Sequence, residues 1–257
     1  MKLTNLLTAG SLAAMMISPA VMAADSMTPE QQKAIEKVVH DYLVSHPEVL
    51  VEASQALQQK QQQDMQQQAK GAIVDNAAQL FKSSLAVAGN PKGNVTVVEF
   101  FDYQCIHCKK MEPVISELLK KDTNLRVIYK EFPIFGEGSE IASKAALAAA
   151  MQGKYLPLHV ALLNVQKRLD EKVVMETAKS VGLDMVKLQK DMKSDAVKEA
   201  LVSNRELAEK MHLMGTPAFV VAATPAGEFS AKFDPAFIPG AASVEVLQDL
   251  IKKASNI

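Results

Sequence analysis

Two cysteines between a hydrophobic strand and a helix constrain the fold of this 257-residue chain more than any other feature. The run 95–101, Val-Thr-Val-Val-Glu-Phe-Phe, is apolar and β-branched, which is typical of a buried strand. Cys105 and Cys108 follow it, and the apolar spacing from about 106 to 121 predicts a helix. A second strand is predicted at 125–132, so the order of elements implies a parallel strand pair with a crossover helix.

The rest of this domain is predicted as a helical insertion followed by two strands and a closing helix. Amphipathic or Ala-rich patterns fill about residues 138–213, with helices predicted over 142–151, 155–165, 171–181 and 186–213. Further patterns predict a strand at 218–222, a turn at 226–227, its antiparallel partner at 228–232 and a helix at 243–254. The sequence therefore predicts an α/β domain over residues 83–257.

The first 23 residues have the pattern of a secretory signal peptide. Lys2 supplies the positive charge, and the apolar stretch 6–17 is shorter than a bilayer-spanning helix needs to be. Val21 and Ala23 are suitable residues before a cleavage site. We therefore expect export with cleavage after Ala23, the alternative being a retained membrane anchor.

Residues 24–82 differ in composition and predict a helical arm. Thr28, followed by proline and by Gln31, predicts a capped helix start, and apolar residues such as Ile35 and Tyr42 share one face of that helix. A second helix is predicted from near residue 47 into the low 80s, with a Gln-rich, solvated middle. Because the arm cannot bury its own apolar stripe, we expect it to form a homodimer. The alternatives are a solvated tail and a helix packed on the chain's own α/β domain.

The cysteine count indicates reactivity rather than structural cross-linking. The chain has only two cysteines, and a bridge between positions 105 and 108 would constrain the unfolded chain very little. Cys105 is predicted at a helix N-terminus, where free N–H groups and the helix dipole stabilise a thiolate. We therefore expect Cys105 to be the nucleophile and Cys108 to resolve mixed disulfides. A protonated His107 would further stabilise the Cys105 thiolate; otherwise it is simply an exposed helix residue.

Other meanings of this motif, and other functional classes, agree less well with the sequence. Covalent haem attachment requires histidine directly after the second cysteine, and Lys109 stands there. A zinc site requires about four ligands, and no second cysteine pair exists, so neither a metal nor a cofactor is expected. The formal net charge of −1 argues against nucleic acid as a partner.

Two further sites carry candidate functional residues. Glu99 is the one carboxylate in an otherwise buried strand, where it could relay the proton of Cys108. Its alternative position is a solvent-facing strand edge. Thr216 and Pro217 join a predicted helix to a predicted strand, and a cis bond there would place Thr216 beside the cysteines. The Thr216 backbone could then pair with an extended substrate.

These residues together resemble the DsbA family of bacterial envelope oxidoreductases, within the thioredoxin superfamily. The resemblance rests on residues 98–101, the Cys-Ile-His-Cys motif, the inserted helices and residues 215–217, and it spans about 92–255. It implies a thioredoxin fold with a helical insertion, a Cys105 nucleophile and a cis Pro217. It also implies periplasmic action on unfolded or misoxidised exported proteins, with an inner-membrane redox partner.

Three features separate this sequence from the monomeric oxidases of that family. Ile106 replaces the proline that usually precedes the motif histidine. The residue before the expected cis proline is Thr216, as in disulfide isomerases, whereas the monomeric oxidase usually has valine there. The N-terminal arm resembles dimeric isomerases and the outer-membrane-associated Com proteins, so outer-membrane association through a partner stays open. Both disulfide formation and isomerisation are therefore expected. The alternative is a redox-inactive envelope chaperone or surface-binding protein that keeps the fold.

Overall fold

A computed structural model describes residues 27–82 and 86–255. The predicted signal peptide, with cleavage after Ala23, lies outside the described residues. The chain divides into two compact units between Gln58 and Gln59. In the part of the chain that is described, no helix is long and apolar enough to cross a membrane.

The N-terminal unit is built from helix α1, Pro29–Ser45, and the first part of helix α2, Glu48–Asp75. The predicted cap is present: the Thr28 hydroxyl accepts from Gln31 N at 3.2 Å, and Thr28 N donates to Gln31 Oε1 at 2.8 Å. No residue of α1 is buried. The apolar face predicted for this helix is therefore exposed in a single chain.

The second unit contains a five-stranded sheet. Its strands are β1 Val87–Gly89, β2 Val95–Phe101, β3 Leu125–Glu131, β4 Ala218–Ala223 and β5 Ala236–Pro239. They lie in the order β1-β3-β2-β4-β5, with β2 and β3 parallel and the other pairs antiparallel. The predicted parallel pair at the centre of the sheet is confirmed.

Helices cover both faces of this sheet. Helix α4, Ile106–Lys121, joins β2 to β3 as predicted, and helix α10, Val244–Ser255, closes the domain. The insertion comprises α5 Glu137–Ala150, α6 Tyr155–Leu163, α7 Glu171–Ser180, α8 Met185–Asp191 and α9 Asp195–Lys210. This arrangement confirms the predicted α/β thioredoxin fold with a helical insertion.

Alternating side chains of the central strands divide the interior into two cores. Val97 and Phe101 belong to one core, together with side chains from α4, the insertion and α10. Val98 and Phe100 belong to the other core, which Ile73 of α2 joins. Leu80 of the short helix α3, Ala77–Leu80, and the adjacent Phe81 are also buried in this second core.

The structure corrects the predicted limits of the arm. Helix α2 ends at Asp75 rather than in the low 80s. The division of the chain after Gln58 places its last turns in the same unit as the sheet. Ala69 and Ile73 are buried because the polar Gln-rich stretch ends before them and apolar residues then face the sheet. The compact unit that contains the sheet thus begins at Gln59 rather than at residue 83.

Two other predicted elements differ from the structure. The partner of β4 is Ala236–Pro239 rather than 228–232, because Val220 pairs with Phe237 in the apolar register. The helix predicted over 186–213 is split into α8 and α9, since Ser194 caps α9 by accepting from Val197 N. Strand β1 was not predicted because it has only three residues.

Candidate active site

Cys105 and Cys108 lie at the N-terminus of α4, directly after the loop that leaves β2. Cys105 is the N-cap residue, and its Sγ accepts from Cys108 N at 3.4 Å. In the thiol form, Cys105 Sγ also donates to the Thr216 carbonyl oxygen at 3.3 Å. Both cysteines are free thiols, with exposed fractions of 4% for Cys105 and 0% for Cys108.

The two thiols have opposite electrostatic environments. The hydrogen bond from the Cys108 side chain is the main cause that lowers the pKa of Cys105 to about 5, against the effect of burial. The backbone N–H groups of Cys108 and His107 lower it further. Burial is the main cause that raises the pKa of Cys108 far above its usual range. Cys105 is therefore ionised near neutral pH, while Cys108 keeps its proton.

His107 lies in the first turn of α4, and its side chain is exposed. Its backbone N–H helps to lower the pKa of Cys105. The stabilising effect predicted for its imidazole remains a prediction.

Glu99 is buried in β2 beneath the cysteines, with an exposed fraction of 4%. The solvent-edge alternative is therefore wrong. Its register partners are Tyr129 on β3 and Phe219 on β4. Burial raises the pKa of Glu99 to about 8, and the negative charges of Cys105 and other acidic groups add to this effect. The carboxyl group can therefore exchange a proton near neutral pH.

Thr216 and Pro217 form the loop opposite Cys105. The peptide bond between them is cis, as the family resemblance implied. The hydrogen bond between Cys105 Sγ and the Thr216 carbonyl oxygen places this loop against the reactive sulfur. Five of the six predicted site residues therefore meet around the two sulfurs, and the sixth, His107, directs its side chain to solvent.

Asp102, which sequence reasoning did not identify, fixes the loop before Cys105. It is fully buried, and its carboxylate accepts from Gln104 N and Ser139 Oγ, each at 2.7 Å. It also accepts from Ile134 N at 2.7 Å and Phe135 N at 3.0 Å. Three of these hydrogen bonds, from Ile134, Phe135 and Ser139, thus connect the segment between β2 and Cys105 to the entrance of the helical insertion.

Gln104 adds a second connection between the same parts of the domain. Its Nε2 donates to Phe135 O at 3.0 Å, and its Oε1 accepts from Leu169 N at 3.3 Å. Gly138 allows this close packing, because a Cβ there would lie 2.1 Å from Leu169 O. The insertion therefore helps to set the position of Cys105, whose N–H donates to Asp102 O at 3.2 Å.

A buried polar cluster at the end of β3 was also missed by sequence reasoning. Glu131 Oε1 accepts from the Tyr103 hydroxyl at 3.0 Å and from the Tyr155 hydroxyl at 2.8 Å. Burial raises the pKa of Glu131 to about 8, although these hydroxyls oppose the shift. His159 lies 3.2 Å from the Tyr103 hydroxyl, and burial lowers its pKa to about 3. The imidazole is therefore neutral inside the domain.

Over residues 27–82 and 86–255, no group of three or more His, Cys, Asp and Glu side chains could hold a metal ion.

Two protein families match this chain, one over the domain that holds the cysteines and one over the N-terminal helices. The DSBA-like thioredoxin domain family matches residues 96–252, and the copper resistance protein ScsC N-terminal domain family matches residues 31–64. The thiol:disulfide interchange protein DsbA of Bordetella pertussis is 35% identical over 136 residues, which are 50% of this chain and 64% of that protein. The chain spans between 21% and 64% of the length of its curated relatives.

Solved structures give the same assignment. A thioredoxin-like oxidoreductase from Silicibacter pomeroyi DSS-3 is 40% identical, with a TM-score of 0.63 over 70% of this chain and 98% of that one. BcfH of Salmonella enterica Typhimurium is 34% identical, with a TM-score of 0.75 over 88% of this chain and 97% of that one. The chain belongs to the DsbA family of the thioredoxin superfamily.

Proposed function

We propose that this protein is a periplasmic thiol–disulfide oxidoreductase that forms and rearranges disulfides in exported proteins. One observation carries this proposal: an acidic Cys105 thiol at the start of α4 lies beside a buried, protonated Cys108. A stable thiolate makes Cys105 both a good leaving group and a nucleophile near neutral pH. The family match over residues 96–252 supports the same class of reaction.

In the oxidising direction, a client thiolate attacks Cys105 Sγ of the Cys105–Cys108 disulfide. The new bond joins the client sulfur to Cys105, and the old bond breaks so that Cys108 leaves with the electron pair and takes up a proton. A second client thiolate then attacks the client sulfur of this mixed disulfide and releases the Cys105 thiolate. The client loses two electrons, and the cysteine pair gains them.

Isomerisation uses the same groups from the reduced state. The Cys105 thiolate attacks a wrong client disulfide and forms a mixed disulfide, while the released client thiolate attacks another client disulfide. Attack by Cys108 on Cys105 frees a trapped client, and it requires removal of the Cys108 proton. Glu99 is the acceptor that we propose for this proton, because it lies beneath the pair and titrates near neutral pH.

An oxidase must be reoxidised and an isomerase must be kept reduced, so the protein requires an inner-membrane redox partner in either role. The presence of Thr216 rather than valine supports the isomerase role, and a protonated His107 would support the oxidase role.

We also propose that residues 24–75 mediate homodimerisation. The apolar face of α1 supports this: Ile35, Val38, Val39 and Tyr42 are exposed by 50% or more. The match of residues 31–64 to a distinct N-terminal domain family is consistent with a separate task for this segment. A dimer would hold two reactive sites that could act on one unfolded client.

Trapping experiments in cells test the proposed function. A Cys108→Ala variant should accumulate mixed disulfides between Cys105 and exported proteins, and Cys105→Ala should accumulate none. A mass-shifting thiol alkylator should find the wild-type pair mainly oxidised in an oxidase and mainly reduced in an isomerase. If Cys108→Ala traps no client and Cys105→Ala retains the full wild-type phenotype, the protein is a redox-inactive chaperone or surface-binding protein instead.

A further inference from the structure

The three residues directly before the nucleophile each have their own contact with the helical insertion. The Asp102 carboxylate accepts from Ser139 Oγ of α5 at 2.7 Å. The Tyr103 hydroxyl lies 3.2 Å from an imidazole nitrogen on α6. Gln104 Oε1 accepts from Leu169 N, between α6 and α7, at 3.3 Å. The insertion therefore holds this short segment at every one of its positions.

Asp102 is the member of this segment whose backbone contacts both cysteines. Its carbonyl oxygen accepts from Cys105 N at 3.2 Å. Burial raises the pKa of Cys108, and a hydrogen bond with the Asp102 backbone opposes that increase. A displacement of Asp102 would therefore change the surroundings of both sulfurs.

The two carboxylate oxygens of Asp102 bind different sets of donors. One oxygen accepts from Ile134 N at 2.7 Å and from Phe135 N at 3.0 Å. The other accepts from Ser139 Oγ and from Gln104 N, each at 2.7 Å. The bond from Gln104 closes a tight turn directly before the nucleophile, and the other three fix that turn to the entrance of the insertion.

The position of this turn matters because the Cys105 thiolate is stabilised only at the N-terminus of α4. There, Sγ accepts from Cys108 N at 3.4 Å and meets the positive end of the helix dipole. The effect of the dipole falls off within the first turn, so a small shift of Cys105 would weaken it. A less stable thiolate makes the reduced pair less stable, and the disulfide then becomes a weaker oxidant.

We propose that Asp102 is a positioning residue through which the helical insertion sets the oxidising strength of the Cys105–Cys108 pair. The inference rests on the proposed function and concerns the same two sulfurs. Hydrogen bonds from the insertion hold the Asp102 carboxylate, the carboxylate holds the turn, and the turn keeps Sγ against α4.

Asp102→Asn separates the turn from the other contacts, because an amide has one accepting oxygen where a carboxylate has two. With that oxygen towards Ile134 and Phe135, the amide nitrogen faces Gln104 N and Ser139 Oγ. The serine hydroxyl can rotate and accept, but the Gln104 N–H cannot, so the turn loses its hydrogen bond. The opposite orientation would cost two backbone hydrogen bonds rather than one.

The test measures two properties of the full-length protein at neutral pH. The first is the equilibrium of the cysteine pair with reduced and oxidised glutathione, and the second is the pKa of Cys105 from thiolate absorbance. Asp102→Asn should shift the equilibrium about tenfold towards the protein disulfide. It should also raise the pKa of Cys105 from about 5 to about 6, because a tenfold loss of thiolate stability corresponds to that change.

Ser139→Ala tests the contribution of the insertion itself. It removes one donor to Asp102 and keeps the bond from Gln104, so the equilibrium should shift about threefold in the same direction. Ser203→Ala is the matched control, because Ser203 Oγ on α9 of the same insertion accepts from Gln79 Nε2 at 2.8 Å. It should leave the equilibrium and the pKa of Cys105 as in the wild type. Urea denaturation shows which variants are folded.

An unchanged equilibrium in Asp102→Asn would overturn the inference. A changed equilibrium with an unchanged or lowered pKa of Cys105 would also overturn it, because the effect would then not come from lost positioning of the thiolate. Equal shifts in Ser139→Ala and Ser203→Ala would do the same, and this comparison decides alone if Asp102→Asn does not fold. A wild-type pair that does not exchange with glutathione would overturn the proposed function together with this inference.

Discussion

Cys105 and Cys108 lie three positions apart, yet the pKa of Cys105 is lowered and that of Cys108 is raised. Cys105 caps α4 and accepts hydrogen bonds that favour its thiolate, whereas burial dominates at Cys108 and favours its thiol. In the proposed reaction, this difference determines which sulfur reacts with the client and which one completes the exchange. At the scale of the single residue, function depends on which sulfur holds a proton.

Alkylation of the reduced protein should reveal the acidic thiol. Because the pKa of Cys105 is lowered to about 5, its rate of reaction with iodoacetamide should be nearly constant above pH 6 and fall below pH 5. Thiolate absorbance at 240 nm should follow the same titration and be lost in Cys105→Ala. A single titration at about 8.5, the usual value for cysteine, would contradict the assignment of Cys105 as nucleophile.

Replacement of Glu99 should slow the attack of Cys108 on the mixed disulfide at Cys105, because this step requires removal of the Cys108 proton. In Glu99→Gln, we expect the mixed disulfide between Cys105 and glutathione to be resolved roughly a hundredfold more slowly. The wild-type rate should increase with pH up to about 8, the pKa of Glu99, and the variant should lack this dependence. Stopped-flow measurement of glutathione release gives both quantities.

Glu117→Gln is the matched control, because Glu117 lies on α4 but is exposed and pairs with Lys121. Its rate and pH profile should equal those of the wild type. If Glu99→Gln behaves like this control, Glu99 has no part in proton transfer.

At the scale of elements, the end of α2 connects the N-terminal helices to the catalytic sheet. Ile73 is fully buried in the second core, whereas its neighbour Val74 is 44% exposed. Because a buried isoleucine loses both its transfer free energy and its packing, Ile73→Ala should lower the free energy of unfolding by about 2–5 kcal/mol. Val74→Ala should change it by less than about 0.5 kcal/mol.

Urea denaturation of the two variants measures this difference. Equal and small effects would mean that the last turns of α2 contribute nothing to the stability of the catalytic unit.

Elements with a strong local signal could be predicted from the sequence, and elements defined by distant partners could not. Helix α4 has the predicted bounds because its apolar period, its strand before and its strand after all agree. Strand β5 was misplaced because only its pairing with β4 distinguishes it from the loop before it.

The same distinction applies to the site. The cysteines, Glu99 and Thr216–Pro217 stand out as local patterns. Asp102 does not, because its hydrogen bonds reach Ile134, 32 residues away. Glu131 and Tyr103, 28 residues apart, likewise become recognisable only when the fold brings them together.

At the scale of the whole molecule, buried carboxyl groups should make stability depend on pH in an unusual direction. The pKa of Glu131 is raised from 4.5 to about 8, so between these values the folded protein holds a proton that the unfolded chain releases. Its contribution is therefore fully present below pH 4.5 and is lost as pH rises through 8, by at most about 1.4 kcal/mol per pH unit.

Glu131→Gln keeps an acceptor for the two tyrosine hydroxyls and removes the titration. Chemical denaturation between pH 5 and 8 should show a flatter decline in its unfolding free energy than in that of the wild type. Glu199→Gln, at an exposed position on α9, should retain the wild-type slope. Parallel curves for wild type and Glu131→Gln would show that the carboxyl group ionises normally.

Self-association would bury the apolar face of α1, which is exposed in a single chain. Val38, 68% exposed in the single chain, lies at the centre of that face. A charge buried there in a dimer would be unpaired in both copies, so Val38→Glu should raise the dissociation constant at least about tenfold. Sedimentation velocity over a range of concentrations measures this shift.

Lys33→Glu, on the opposite face of α1, makes a larger change in charge and should leave the association intact. Activity with glutathione should be equal in both variants, since the reactive cysteines belong to the other compact unit. If Val38→Glu sediments like the wild type, α1 does not mediate association. A wild-type mass of three protomers that Val38→Glu reduces would keep the interface on this face and replace the dimer with a trimer.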